Sequence, residues 1–268
     1  MYSALKRKSQ STTPDDNGWF WSPLAILILL LIWQGAVSLQ LVQGFMLPSP
    51  IQVGKALIQD FPLLLEHGAI TLSEAALGLF FGVAIGFGAA VAMDRFRGLY
   101  KAFYPIVVLT QTIPAVAIAP LLVLWFGYEM TPKVILIVIT TFFPITVGLL
   151  NGFGSADKDA VSLLRAMGAG EFQIFCYIKF PGALGHFFSS LRISASYAVV
   201  GAVISEWLGG FGGLGVYMTR VKKAFSFDKM FAVILLVSAI SLLLMWAVDQ
   251  LQRLCMPWEQ PAGRRQKR

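Results

Sequence analysis

The chain has 268 residues, 57% of them hydrophobic and only 13% charged, with a mean hydropathy of +0.71. A soluble domain carries about twice that charge, roughly 25%, so the composition excludes an ordinary water-soluble globule and makes lipid the solvent for much of the surface. The formal charge is +7, but Lys and Arg are dispersed between apolar runs rather than gathered on one face, which argues against nucleic acid as a partner.

A crossing of a ~30 Å hydrocarbon core needs about 20 consecutive apolar residues. The charges that bound such runs predict crossings over about 20–42, 70–93, 103–127, 133–152, 187–208 and 229–252. The fifth rests on the shortest run, since only 13 uncharged residues separate Arg192 from Glu206 and Glu206 must then sit near its far end or inside the protein. The apolar run after Lys6-Arg7-Lys8 is too long for a signal-peptide core and leads to Leu47-Pro48-Ser49-Pro50, not to a small-residue cleavage site, so a retained anchor is expected. With the N-terminus inside, 15 of the 21 basic residues fall on inner segments, a bias that predicts N-in, C-in and an even number of crossings. The expected fold is an all-α integral membrane protein with six transmembrane helices, multi-pass in the inner cell membrane, over residues 18–257. Residues 1–17 and 258–268 read as polar cytoplasmic tails.

Between the first two runs, Ile51, Val53, Ala56, Leu57, Phe61 and Leu64 lie close to helical spacing against Gln52, Lys55 and Asp60. This predicts an amphipathic surface helix that starts at Pro50 and breaks near Pro62. In the second run Gly78, Gly82 and Gly86 recur at every fourth position, which places them on one face as a helix-packing surface.

Polar groups inside apolar runs are candidates for a translocation pathway. Thr110, Gln111 and Thr112 precede Pro114, which is expected to disrupt the third helix and turn them inward. Ser194, Ser196, Ser205 and Glu206 mark the fifth. Glu206 reads as a structural or gating partner rather than a direct contact, because its charge would repel anionic solutes.

Gly210-Phe211-Gly212-Gly213-Leu214-Gly215 matches G-x-G-x-x-G, but it follows a predicted span rather than a strand, so a flexible outer loop or gate is expected in place of a dinucleotide site. Gly54-Lys55 is followed by Ala56, and G-x-x-x-x-G-K-[ST] is absent, so any ATP is handled by another chain. His67 and His186 fall on opposite sides of the proposed membrane, and Cys176 and Cys255 are on the inner side. No metal site, cofactor, disulfide or catalytic constellation is expected.

The inner segment over 155–181 is the most informative. Asp157 to Lys179 reads as two helices separated by Gly168, with Leu163, Leu164 and Met167 as one apolar face and Phe172, Phe175 and Cys176 as another. Such faces need a partner to cover them. Binding-protein-dependent ABC permeases carry here Glu-Ala-Ala, three residues, Gly, nine residues, Ile, one residue, Leu-Pro. This chain has Ser162-Leu163-Leu164, then Arg165, Ala166 and Met167, then Gly168, and later Ile178, Lys179 and Phe180-Pro181, in the same register. The chain therefore resembles that family, although the Glu-Ala-Ala triplet is absent and a polar contact of the family's glutamate does not transfer to Ser162.

Leu47-Pro48-Ser49-Pro50, Gln111-Thr112-Ile113-Pro114, Leu124-Trp125-Phe126-Gly127, Phe142-Phe143-Pro144 and Glu206 with Gly213-Leu214-Gly215 resemble the subgroup for nitrate, taurine, aliphatic sulfonates, thiamine precursors and riboflavin. Leu163 to Ala169 with Lys179-Phe180-Pro181 looks closer to the thiamine-precursor and riboflavin members. The resemblance implies a type I importer fold and a non-catalytic pore subunit in membrane lipid. It also implies two ABC ATPase copies below, an extracytoplasmic solute-binding protein above and a second permease subunit. An identical copy is preferred for that subunit, with a different chain as the alternative. The ATPase-coupling residues it implies are Ser162, Leu163, Leu164, Arg165, Met167, Gly168, Ala169, Phe172, Ile178 and Pro181. An ATP-independent secondary transporter or a membrane enzyme are the competing classes, and neither inverted repeats nor recruited catalytic groups are apparent.

Overall fold

The computed structural model describes residues 18–41 and 46–259, so most of the two predicted tails lies outside the described residues. In chain order the elements are α1 (Gly18–Ser38), α2 (Pro50–Gln59), α3 (Phe61–Arg95), α4 (Arg97–Thr112), α5 (Ala115–Phe126) and α6 (Met130–Gly154). Then follow α7 (Lys158–Ala166), α8 (Glu171–Ile174), a π-turn over Phe175–Lys179, α9 (Phe180–Trp207), α10 (Leu214–Lys223), α11 (Phe227–Cys255) and a closing 3-10 turn. The described residues are all-α.

Local chemistry sets several boundaries. Ser49 caps α2 by accepting from the Gln52 amide while the Gln52 side chain accepts from the Ser49 amide, and Pro50 occupies the first helical position. The chain turns at Asp60 rather than at Pro62. Pro62 falls in the first turn of α3, where its missing N–H would have had no partner.

The core lies where α3, α6 and α9 run side by side. Ile137, Ala75, Ala198, Val199 and Ala202 fill one level, and Ile145, Leu149, Phe153, Ala183 and Phe188 another. Gly78, Gly82 and Gly86 are buried on α3, and a Cβ added at each would collide with Ile137, Thr141 and Ile145 of α6 respectively. The missing side chains let the two backbones approach closely. Gly148 and Gly152 play the same part for α6 against Ser190 and Ala183 of α9.

The expected six crossings are corrected. Among the described residues, four helices are long and apolar enough to span a membrane: α3, α6, the continuous Glu171–Trp207 unit and α11. A fifth is counted only if α4 and α5, bent by 97°, form one broken span. The predicted third crossing is interrupted because proline drives the residue before it out of the helical region. Ile113 is extended at φ −86° and ψ 120°, and Pro114 follows it extended. The first run, α1, is not among the four; its apolar stretch from Pro23 ends at Ser38. Beyond Ser38 the chain leaves the helix, and residues 42–45 lie outside the described residues. An uncharged run does not by itself ensure a crossing.

Replacing Gly82 by Val is expected to push α3 off α6, with overpacking costs of about 1–3 kcal/mol. Gly88→Val, where nothing lies within 4 Å, is expected to be neutral. Melting temperatures of the two variants in the same detergent check this.

Candidate functional site

Three features stand out along the bundle: a buried polar seat at one end, a cavity part-way along and an exposed elbow at the other end. The seat forms where α9 stops. Gly213 adopts φ +115°, and a Cβ there would collide with the Glu206 carboxylate, so only glycine lets the chain turn so tightly into α10. The first amides of a helix have no intrahelical acceptor. Here three in succession are satisfied from other helices. Gly213 N–H donates to Nδ1 of His67 at 3.0 Å, Leu214 N–H to Oγ1 of Thr71 at 2.8 Å, and Gly215 N–H to Oε2 of Glu206. The Thr71 hydroxyl donates in turn to Oε1 of Glu206 at 2.7 Å. A carboxylate at a helix N-terminus also interacts favourably with the helix dipole. Because Nδ1 accepts, the neutral His67 ring carries its proton on Nε2.

Glu74, three residues beyond Thr71, forms a buried ion pair with Lys133 of α6. Lys133 lies beneath Gly210 as well, 3.1 Å from where a Cβ would stand. The G-x-G-x-x-G segment is thus not a nucleotide loop but a turn fastened to α3, α6 and α9. Beside it, Asp60 accepts from Lys229 at 2.8 Å and from the Tyr217 hydroxyl. Those two donors, Lys229 first, hold the Asp60 carboxyl below the usual carboxylate range, while burial and the Asp60 charge push the Tyr217 hydroxyl up.

A cavity of about 360 Å³ opens where α4 and α5 bend around α6 and α9. Thr110, Gln111 and Pro114 line it together with Thr140, Phe143 and Tyr197. Thr112 is exposed outside it and donates to the Leu109 carbonyl. Ser194 donates to the Thr141 carbonyl at 3.2 Å and Ser205 to that of Ala202 at 2.7 Å, so both, like Glu206, bond within the protein and away from the cavity. Ser196 is half-buried. Thr140, Phe143 and Tyr197 were missed by sequence reasoning. The hydroxyl pair Thr140-Thr141 inside an apolar run was the available signal for the first of them.

The elbow is built by capping. Asp157 caps α7 through the Asp159 amide, and α7 carries Ser162, Leu163, Leu164 and Arg165. Gly168 ends it at φ +85°, with Ala169 N–H on the Leu164 carbonyl and Gly168 N–H on that of Arg165, the Schellman closure of a helix. Arg165 pairs with Glu171 across the turn at 2.8 Å. Leu163, Met167 and Phe172 are 61%, 77% and 79% exposed, apolar surface with no cover among the described residues. The return path is anchored. Ile174 is fully buried, Phe175 packs on Phe153 and Phe180, Lys179 binds Asp94 of α3, and Ile178 and Pro181 are half-buried where α9 begins. The π-turn over Phe175–Lys179 was not foreseen.

Long apolar helices packed through glycines, a cavity at a broken helix and an exposed elbow define a multi-pass membrane protein of the transporter class. The fold matches that of the MetNI methionine ABC transporter in inward-facing conformations, with a TM-score of 0.64, 21% identity, and coverage of 72% of this chain and 96% of that one. The chain belongs to the family of binding-protein-dependent transport system inner membrane components, whose profile matches residues 82–255. It is 36% identical to a probable ABC transporter permease protein of Haemophilus influenzae over 85% of this chain and 94% of that one. It is 35% identical to the formylaminopyrimidine transport permease protein of Halalkalibacterium halodurans over 95% and 98% of the two chains. It is also 31% identical to the riboflavin transport system permease protein of Chloroflexus aurantiacus over 88% and 89%. The protein is therefore the non-catalytic inner-membrane permease subunit of an ABC importer, acting with a binding protein and a separate ATPase.

Thr71→Val leaves the Leu214 amide without its acceptor in a buried place, a loss of about 1–3 kcal/mol. Hydrogen exchange at Leu214 and Gly215 is expected to accelerate well ahead of exchange in α6. For Asp60, the folded-state carboxyl is the more acidic, so its contribution is present above the unfolded value and is lost as pH falls through the folded one. The melting-temperature difference between wild type and Asp60→Asn is expected to be largest near neutral pH and to shrink on acidification below the ordinary carboxylate range.

Proposed function

We propose that residues 155–181 dock into the ATPase and that the cavity beside the α4–α5 break belongs to the path of a small planar solute. The single observation behind the docking reading is the exposed apolar tip of Leu163, Met167 and Phe172, hinged at a glycine whose φ is +85°. A groove in a soluble partner would cover that tip as it covers any amphipathic helix. Closure of the ATPase pair on ATP would draw two such elbows together and turn the pore outward; hydrolysis would release them. This requires a second permease subunit, for which an identical copy is the simplest choice.

For the solute, a thiamine-precursor pyrimidine or a riboflavin-like ring is favoured. The described cavity lining offers Phe143 and Tyr197 as aromatic faces with Thr110, Gln111 and Thr140 as polar anchors, and holds neither Lys nor Arg. A flat heteroaromatic ring suits that lining. Nitrate, taurine and sulfonates, the second reading, carry a negative charge that such a lining leaves unpaired. Their permeases remain relatives, the taurine transport system permease protein of Escherichia coli at 30% identity among them. Reconstitution with the ATPase and the binding protein, followed by pyrimidines, flavins, sulfonates and nitrate in turn, tests the assignment. Stimulated ATP turnover by a pyrimidine or flavin supports it, and stimulation by the anions alone overturns it.

Gly168→Val forces a β-branched residue into a left-handed conformation at a cost of about 1–2 kcal/mol, although nothing lies within 4 Å of the site. The variant is expected to fold in the membrane and to lose stimulation of ATP turnover by the loaded binding protein. Gly168→Asn, which tolerates that conformation, is expected to retain most of it. Normal stimulation in the Val variant would remove the elbow from the coupling path.

A further inference from the structure

The polar seat carries a charge imbalance that the transport reading does not use. Glu74 and Glu206 are 3% and 1% exposed, and Lys133, 5% exposed, is the cation packed against them. Lys133 engages Oε1 of Glu74. Oε2 of Glu74 is buried and has no hydrogen-bond partner among the described residues, although Glu206 lies within hydrogen-bonding reach of Glu74.

The neighbouring groups do not correct the imbalance. His67 is committed through Nδ1 to the Gly213 amide and is neutral in that arrangement. Arg220 of α10 is exposed, with its guanidinium on the Phe211 carbonyl, and Glu66 of α3 is exposed. Lys229 is taken by Asp60. Two carboxylates and one ammonium therefore leave one negative charge where water does not reach, an arrangement that buried sites avoid by neutralising a group.

We propose that Glu74 and Glu206 hold a single proton between them, so that an unbroken chain of hydrogen bonds runs from Lys133 through both carboxyls to the capped amides of α10. The proton gives Oε2 of Glu74 the donor it lacks, and Glu74, Glu206 and Lys133 together become neutral. Two carboxyls in contact share a proton for the same reason that paired aspartates do. When the proton leaves to water, two negative groups face each other beneath the Gly210–Gly215 turn that Glu206 holds down. The seat then loosens. The folded seat binds one proton at neutral pH where the two glutamates of an unfolded chain bind none, so stability falls as pH rises through the release of that proton.

Infrared difference spectroscopy of the assembled transporter in lipid, with isotope-labelled glutamate, reads a protonated carboxyl directly through its C=O stretch. Wild type is expected to show such a band at neutral pH and to lose it on alkalinisation. Glu74→Gln and Glu206→Gln are each expected to lack the band. Glu206→Gln also presents an amide N–H to Glu74 and keeps an oxygen for Gly215. It is expected to match the wild-type melting temperature at neutral pH and to lose the wild-type decline at alkaline pH. Absence of the band in wild type, or its survival in both variants, overturns the proposal. So does a melting temperature that climbs with sodium at fixed pH, which would assign the place to a metal cation.

Discussion

A backbone amide or carbonyl inside a lipid-embedded bundle has no water to turn to, so every interrupted helix must be completed by other parts of the protein. That constraint shapes the seat. α10 begins in the interior, and its first three amides find their acceptors on α3 and α9 in His67, Thr71 and Glu206. Placing those acceptors there buries charge, and the charge calls up Lys133 from α6 in turn. One short helix start thus fixes the relative positions of three long helices.

Those same three helices carry the other features. α3 and α6 meet through Gly78, Gly82 and Gly86, and α6 and α9 through Gly148 and Gly152. These contacts leave little room for sliding, since backbone and β-carbons already touch. Toward the opposite end, α3 holds Lys179 through Asp94, and α6 holds Phe175 through Phe153. The elbow is packed at its root and exposed at its tip. A force applied at Gly168 has a packed route into the helices that border the cavity, whereas the seat resists movement at the far end.

How far the sequence showed this depends on the range of the interaction. The start of α2 at Pro50, the four-residue glycine period and the amphipathic turn ending at Gly168 are local patterns, and each appears in the structure as a local geometry. The disruption expected at Pro114 is present, but the crossings were miscounted because it redirects the apolar run by 97°, a size that the absence of charge does not reveal. The pairing of Glu74 with Lys133 was not legible, since a partner 59 residues away leaves no trace in either neighbourhood. Likewise Thr140, Phe143 and Tyr197 come from two helices to a cavity walled by a third segment, and their convergence is a property of packing rather than of spacing.

The central claim is that the uncovered tip of the elbow is the surface a cytoplasmic ATPase covers. It is tested most directly with Met167→Cys, placed at a side chain that is 77% exposed, after replacing the exposed Cys176 and Cys255 by Ser. A membrane-impermeant thiol reagent is applied to intact cells and to inverted vesicles, with and without the bound ATPase. The account predicts labelling in inverted vesicles alone, and protection once the ATPase is assembled. Labelling in intact cells, or equal labelling with the ATPase in place, would contradict it.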